Sequence, residues 1–409
     1  MNSQFQLADQ TFDGLWRDDP VHRAWLTQDA QKQLAFFRQS LRPDGGFDTL
    51  DWNGTAQPRD AQELHTTTRL IHSFALGQAF GFDDAAPMID AGMANLWNTH
   101  RDVANGGYFW AVQDGKASDG QKLAYGHVFV LLAGASAKQA GHPDADRLIA
   151  DVLDVLTAHF WDDARGLLRE EYASDWSPIS DYRGMNANMH GVEAHLAAFE
   201  ATGDELYLIR AGRILDFFVG RIAPQHGWRI PEHYTKDWTV DPEYAGNPMF
   251  RPAGSTPGHS FELGRLLIQH WDLSGRPDTT ALDHARYLIQ QGLTDAWRDD
   301  GGLCYTLHLD GNQDVRDRYW WPVTEAIGAL AVLRGVAPSE EDEAWYRKLT
   351  QFAHRHFVDH DGGGWYPELD EQGIPVQGQF TGKPDIYHAL QADLIALTGT
   401  PSKLFSALK

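Results

Sequence analysis

Six times along the chain a short glycine turn is followed by an aromatic or apolar run. The copies are LRPDGGFDTL at Gly46, VANGGYFWAV at Gly107, DARGLLREEY at Gly166, PQHGWRIPEH at Gly227, RDDGGLCYTL at Gly302 and DHDGGGWYPEL at Gly364. By subtraction the glycines stand 61, 59, 61, 75 and 62 residues apart. A period this regular predicts a repeat architecture, in which one supersecondary unit is stacked on the next. Glycine supplies the positive φ of each turn, and the run after it reads as a short strand or hairpin arm.

Between the turns the apolar spacing is helical. We expect helices at about 22–39, 61–80, 85–99, 120–140, 144–160, 186–202, 204–222, 258–274, 277–296, 321–335, 340–357 and 385–397. That is two per repeat. Pro87 suits a first helical turn, and Asp144 after Pro143 suits an N-terminal cap. Val152, Val155, Leu156 and His159 are expected on one face of the fifth helix, and Leu208, Ile209, Leu215 and Phe218 on one face of the seventh. Helices that precede a turn carry mixed charge on one face, as in Glu341-Asp342-Glu343 with Arg347-Lys348. Helices that follow a turn are small and apolar nearly all round, as in GHVFVLLAGASA at 126–137. The first kind suits an outer layer and the second an inner one. Twelve helices in six hairpins close into an all-α (α/α)6 barrel with short β-hairpin loops at one mouth. An open solenoid satisfies the same pattern. With no linker in 409 residues, the expectation is one domain over 1–409.

Composition narrows the function. A formal charge of −23 excludes the clustered Lys/Arg that nucleic acid and anionic membranes require. Cys304 is the single cysteine, so no internal disulfide forms and a reducing compartment fits. The opening MNSQFQLADQTF has neither a basic n-region nor an apolar h-region, and no run approaches 18 apolar residues; a cytoplasmic protein is expected. No GxGxxG opens a helix, and no P-loop or GxSxG is present, so no cofactor is expected.

Polar residues gather near the starts of the inner helices. They are His65 and Arg69, Tyr125, Asn186 and His190, His259 and Glu262, Trp321 and Glu325, and Asp385 and His388. Arg69, His190, Glu325 and His388 lie 23, 24, 23 and 24 residues after their repeat's glycine. Equal depth on the inner helices of a closed ring aims them into one mouth. His259 and Glu262, three apart in a first turn, share a helix face, where a carboxylate beside a neutral imidazole makes a general acid/base. Lone histidines such as His72, His127 and His195 are expected to be bonded helix residues. No HExxH, cysteine pair or compact carboxylate cluster calls for a metal, although His259 and Glu262 at i, i+3 are compatible with one. Segment 233–257 carries the extra length of the 75-residue spacing and is expected to lie over the mouth.

LHTTTRLIHSFALG (64–77), YGHVFVLLAGASA (125–137), DYRGMNANMHGVEA (181–194), GSTPGHSFELGRLL (254–267), RYWWPVTEAIG (318–328) and KPDIYHALQ (383–391) together resemble the N-acylglucosamine 2-epimerase superfamily. They are closest to its bacterial aldose–ketose isomerase branch, and LHTTTR to the mannose isomerase form. The resemblance implies an (α/α)6 barrel and metal-free sugar isomerisation or epimerisation. Its functional positions fall on Arg69, Tyr125, Asn186, His190, His259, Glu262, Glu325 and His388, with an aromatic at Trp321. It implies a monosaccharide substrate, D-mannose going to D-fructose and lyxose to xylulose, through ring opening and a cis-enediol(ate). His388, His259, Glu262 and His190 are expected to do the chemistry. Arg69, Tyr125, Asn186, Trp321, Glu325 and His65 are expected to hold the sugar. His65 and Pro384 depart from the sulfoquinovose isomerase pattern of Trp and Gln. A 2-epimerase, an (α/α)6 glycoside hydrolase and a non-catalytic binding protein stay open at this point, as do monomer and homodimer.

Overall fold

The computed structural model describes residues 6–57, 61–244, 246–247 and 251–409. Twelve long helices appear where the periodicity places them: α1 (Pro20–Phe37), α2 (Leu64–Ala79), α3 (Ala85–Asn95), α4 (Ala124–Gln139), α5 (Ala145–Val155), α6 (Met185–Thr202), α7 (Glu205–Leu215), α8 (Pro257–Leu273), α9 (Thr280–Ala296), α10 (Trp320–Val336), α11 (Glu340–His356) and α12 (Tyr387–Thr398). A short α13 (Leu404–Leu408) follows. Three outer helices end in π-helical turns that the sequence did not announce, at Leu96–His100, Leu156–Phe160 and Asp216–Ile222. Among the described residues no helix is long and apolar enough to cross a membrane.

Even-numbered helices line the axis and odd-numbered ones wrap them. Every residue of α10 from Trp320 to Arg334 is buried, whereas α11 hides one face only. This is the difference between a helix walled on all sides and an amphipathic one. Each inner helix packs on the next, α12 returns to α2, and the N-terminal α1 covers α12. The ring is therefore closed, which disposes of the solenoid.

A girdle of tiny antiparallel pairs runs around one end and links successive repeats. The residues before an inner helix pair with those after the next glycine turn. Gln62–Glu63 meets Ala111–Val112, Lys122–Leu123 meets Glu171–Tyr172, and Arg183–Gly184 meets His233–Tyr234. Ser255 meets Leu307, Arg318–Tyr319 meets Glu368–Leu369, and Lys383 meets Leu50 to shut the ring. The approach is close: a Cβ on Gly382 would lie 2.0 Å from the Leu50 carbonyl oxygen. At the same seam the buried Lys383 Nζ bonds Asp359 at 2.7 Å and the Gly363 carbonyl at 2.6 Å.

Several local expectations need correction. In the first repeat Gly45 carries the positive φ, whereas Gly107, Gly166, Gly227, Gly302 and Gly364 do so in the others. Asp144 sits at the N-cap of α5, but its side chain bonds no backbone N–H and pairs with Arg147 instead. Ile209 is 58% exposed, because the buried face of α7 runs through Tyr207, Arg210, Ala211 and Ile214. Of segment 233–257, positions 245 and 248–250 lie outside the described residues.

Candidate active site

The inner helices start at the girdle, so their first two turns face one mouth. Nine of the ten singled-out residues join there in one run of contacts. Arg69 on α2 donates from Nη1 to Asp385 Oδ2 and from Nη2 to Tyr125 Oη, both at 2.8 Å. Its guanidinium also lies over the Phe129 and Tyr387 rings, 4.8 Å from each centroid. Such anchoring holds a cation still without consuming every donor. Tyr125 meets His190 edge-on at 5.3 Å, and His65 stacks on Trp110 at 5.1 Å beside it. Asn186, one turn before His190 on α6, is the tenth. Its buried Oδ1 has no hydrogen-bond partner, and no bond joins it to the others.

Below the mouth lies a buried ionic cluster. His190 Nδ1 faces Glu193 Oε2 at 3.4 Å and Glu262 Oε1 at 3.5 Å. Tyr387 Oη donates to Glu193. One guanidinium serves three acids: Arg265 Nη2 lies 3.4 Å from Glu325, 3.7 Å from Glu262 and 4.0 Å from Glu193. Burial drives all the acids toward neutrality, and Arg265 cannot offset that for every one. Glu262, fully buried and flanked by Glu325 and Glu193, is pushed well above the usual carboxylate range. Burial acts on Glu193 and Glu325 too, but Arg265 and the neighbouring histidines hold both below it. Burial lowers His190 to about 4. The floor thus sets an imidazole and a carboxyl whose charged forms burial disfavours beside two acids that Arg265 favours as carboxylates.

Two histidines stand nearer the opening, both beside Trp321. His259 is 5.1 Å and His388 5.8 Å from it, ring to ring. Each is held through Nδ1 by a carboxylate at 2.8 Å: His388 by Glu325 Oε1, His259 by Glu232 Oε1. Here the helix-face reading of His259 with Glu262 fails. His259 starts α8 and its side chain turns back to the strand before it, while Glu262 lies a turn deeper and points to the axis. Glu325, expected to hold the sugar, has its carboxylate against His388 and Arg265.

The sequence reading missed Glu232, Glu193, Arg265 and Tyr387. Glu193 and Arg265 follow His190 and Glu262 by three on the same helices, so the need of buried ions for partners could have found them. Among the described residues, His190, Glu193 and Glu262 bring ligand atoms within 4.8 Å of one another. Arg265 Nη2 also reaches both of these carboxylates, at 4.0 Å and 3.7 Å. His72, His127 and His195 are bonded to Ser136 Oγ, the Leu123 carbonyl and the Gly191 carbonyl.

A family model described as N-acylglucosamine 2-epimerase matches residues 45–392. The chain is 39% identical over 401 residues to D-mannose isomerase of Thermobifida fusca, across 96% of this chain and 98% of that protein. It is 37% identical over 405 residues to D-mannose isomerase of Pseudomonas cannabina pv. alisalensis, across 96% and 97%. A crystal structure of D-mannose isomerase superposes with a TM-score of 0.85 at 32% identity, over 91% of this chain and 97% of that one.

Proposed function

Because this chain belongs to the N-acylglucosamine 2-epimerase family, we propose that it is an aldose–ketose isomerase that converts D-mannose to D-fructose. Lyxose, which shares the C2 configuration of mannose, is a further substrate and gives xylulose. The observation that carries this reading is the pair of histidines, each fixed through Nδ1 by a carboxylate and each with its ring beside the Trp321 indole.

Aldose–ketose exchange moves a proton between C2 and C1. The carbon acid is weak, so the base must be well placed and the developing enediolate oxygen stabilised. His388 Nε2 takes the C2 proton and returns it to C1, while Glu325 steadies the imidazolium. His259, as the imidazolium, gives its Nε2 proton to the ring oxygen and takes back the anomeric hydroxyl proton, which opens the pyranose. The O2 hydroxyl proton passes to O1 as C1 is protonated. Arg69, already locked by Asp385 and Tyr125, supplies positive charge to the enediolate oxygens. Glu262 backs His190 from below, and His190, Asn186 and Tyr125 make the hydroxyl contacts. An acid/base group in such a step contributes about 10²–10⁴ in rate.

The test is product identity from D-mannose with the wild type and with His388→Gln. Fructose as first product, and a fall in kcat of at least about 10² in the variant, is the expected result. Glucose preceding fructose would replace the isomerase by a 2-epimerase, in which the proton returns to the other face of C2.

A further inference from the structure

We infer that Glu232 is a positioning residue for His259, fixing the imidazole so that Nε2 is the nitrogen presented to the sugar. The inference deepens the reading above and rests on it for the role of His259. Glu232 is not on an inner helix. It leads the girdle strand His233–Tyr234, with its N–H bonded to the Gly254 carbonyl at 3.0 Å and its carbonyl bonded to the Met185 N–H at 2.9 Å. The backbone is thus held from both sides, and the residue is 3% exposed. Its Oε1 accepts from His259 Nδ1 at 2.8 Å and from the Thr256 N–H at 3.1 Å.

Two consequences follow from those bonds. Thr256 is the N-cap of α8, yet its side chain caps nothing and its Oγ1 is buried without a partner. Glu232 supplies the missing cap and places a negative charge at the helix start, where the macrodipole favours it. Donation through Nδ1 also sets the tautomer, the part a buried carboxylate plays for imidazole bases generally. The Trp321 indole lies beside the ring, 5.1 Å between centroids. Among the described residues, Glu232 forms no ion pair with lysine or arginine, unlike Glu325, which shares Arg265.

Glu232→Gln keeps an oxygen for the Thr256 N–H and loses the charge; Glu232→Ala loses both. If Glu232 only capped α8, Glu232→Gln would keep its activity. On the positioning role, Glu232→Gln keeps its melting temperature to within a few degrees but loses about 10² in kcat on D-mannose, with KM changed less than about threefold. Glu232→Ala loses at least as much. A second readout needs no substrate: imidazole ¹⁵N spectra at pH 9, with His259 assigned by its absence in His259→Gln. The wild type carries its proton on Nδ1, and Glu232→Ala shows a mixture of tautomers. Wild-type kcat in Glu232→Gln, or a wild-type proton on Nε2, would overturn the inference. Should the wild type not turn over D-mannose, the proposed function falls and the ¹⁵N spectra alone decide the role of Glu232.

Discussion

Gly258 lies in the first turn of α8 with ordinary helical φ, so alanine meets no backbone strain there. A Cβ at this position would sit 2.3 Å from Trp321 Cζ3 and 2.7 Å from Cη2. Carbon atoms rest at about 3.5–4.0 Å, so the indole must retreat by roughly 1.2 Å or more. Trp321 is the wall beside His259 and His388, and the retreat carries to both. Overpacking of this size costs about 1–3 kcal/mol, and the better helix propensity of alanine returns up to about 1 kcal/mol. The variant therefore folds. A misplacement of about 1 Å near the reacting atoms costs on the order of 10² in rate. Gly258→Ala is expected to lower kcat on D-mannose about 10²-fold with a net stability loss of no more than about 2 kcal/mol, read from initial rates and urea melts. Gly328→Ala is the control, because its Cβ meets nothing closer than Arg265 Cδ at 3.7 Å. Gly258→Ala within threefold of wild-type kcat would refute the claim that the Trp321 wall sets the geometry.

The ring seam and a buried acid pair give two stability predictions. Lys383→Met strands Asp359 at the closure and is expected to cost about 3–5 kcal/mol in urea unfolding; a loss under about 1 kcal/mol would show that the seam does not depend on this pair. Asp393 and Asp29 are both buried and share the Gln33 amide, which donates at 2.6 Å to the first and 2.9 Å to the second. Burial, then Asp29, pushes the Asp393 carboxyl well above its usual range, so the folded chain keeps a proton that the unfolded chain releases. That stability is complete below the unfolded value near 4 and is lost as pH rises through the folded one. Asp393→Asn removes the dependence, so its urea midpoint should gain on the wild type between pH 5 and pH 9. Parallel pH slopes would contradict the shared proton.

The helices were legible because apolar spacing and glycine turns are local signals. The apolar pattern alone left a solenoid open beside the closed barrel, because closure depends on Leu50 meeting Lys383 and Arg69 meeting Asp385 across most of the chain. Ionisable residues on otherwise apolar inner helices marked the site for the same local reason. Glu232 escaped because its position shifts from repeat to repeat. Trp110, Glu170, Glu232 and Pro367 each give a carbonyl to the N–H of the first residue of an inner helix. Yet they stand three, four, five and three residues after their glycines, since the hairpin arms differ in length. An offset count aligns helices and misses these side chains. Trp110 against His65 is the same case.

The central claim is that protein imidazoles carry a proton between C2 and C1. Its most direct test is to incubate the chelator-treated protein with D-mannose in D₂O and locate the label by NMR. Proton transfer through His388 predicts fructose with deuterium on C1 in part of the product, with exchange and turnover both lost in His388→Gln. Fructose free of deuterium at every stage of conversion would mean that hydrogen moves without passing through an exchangeable base, and would contradict the account.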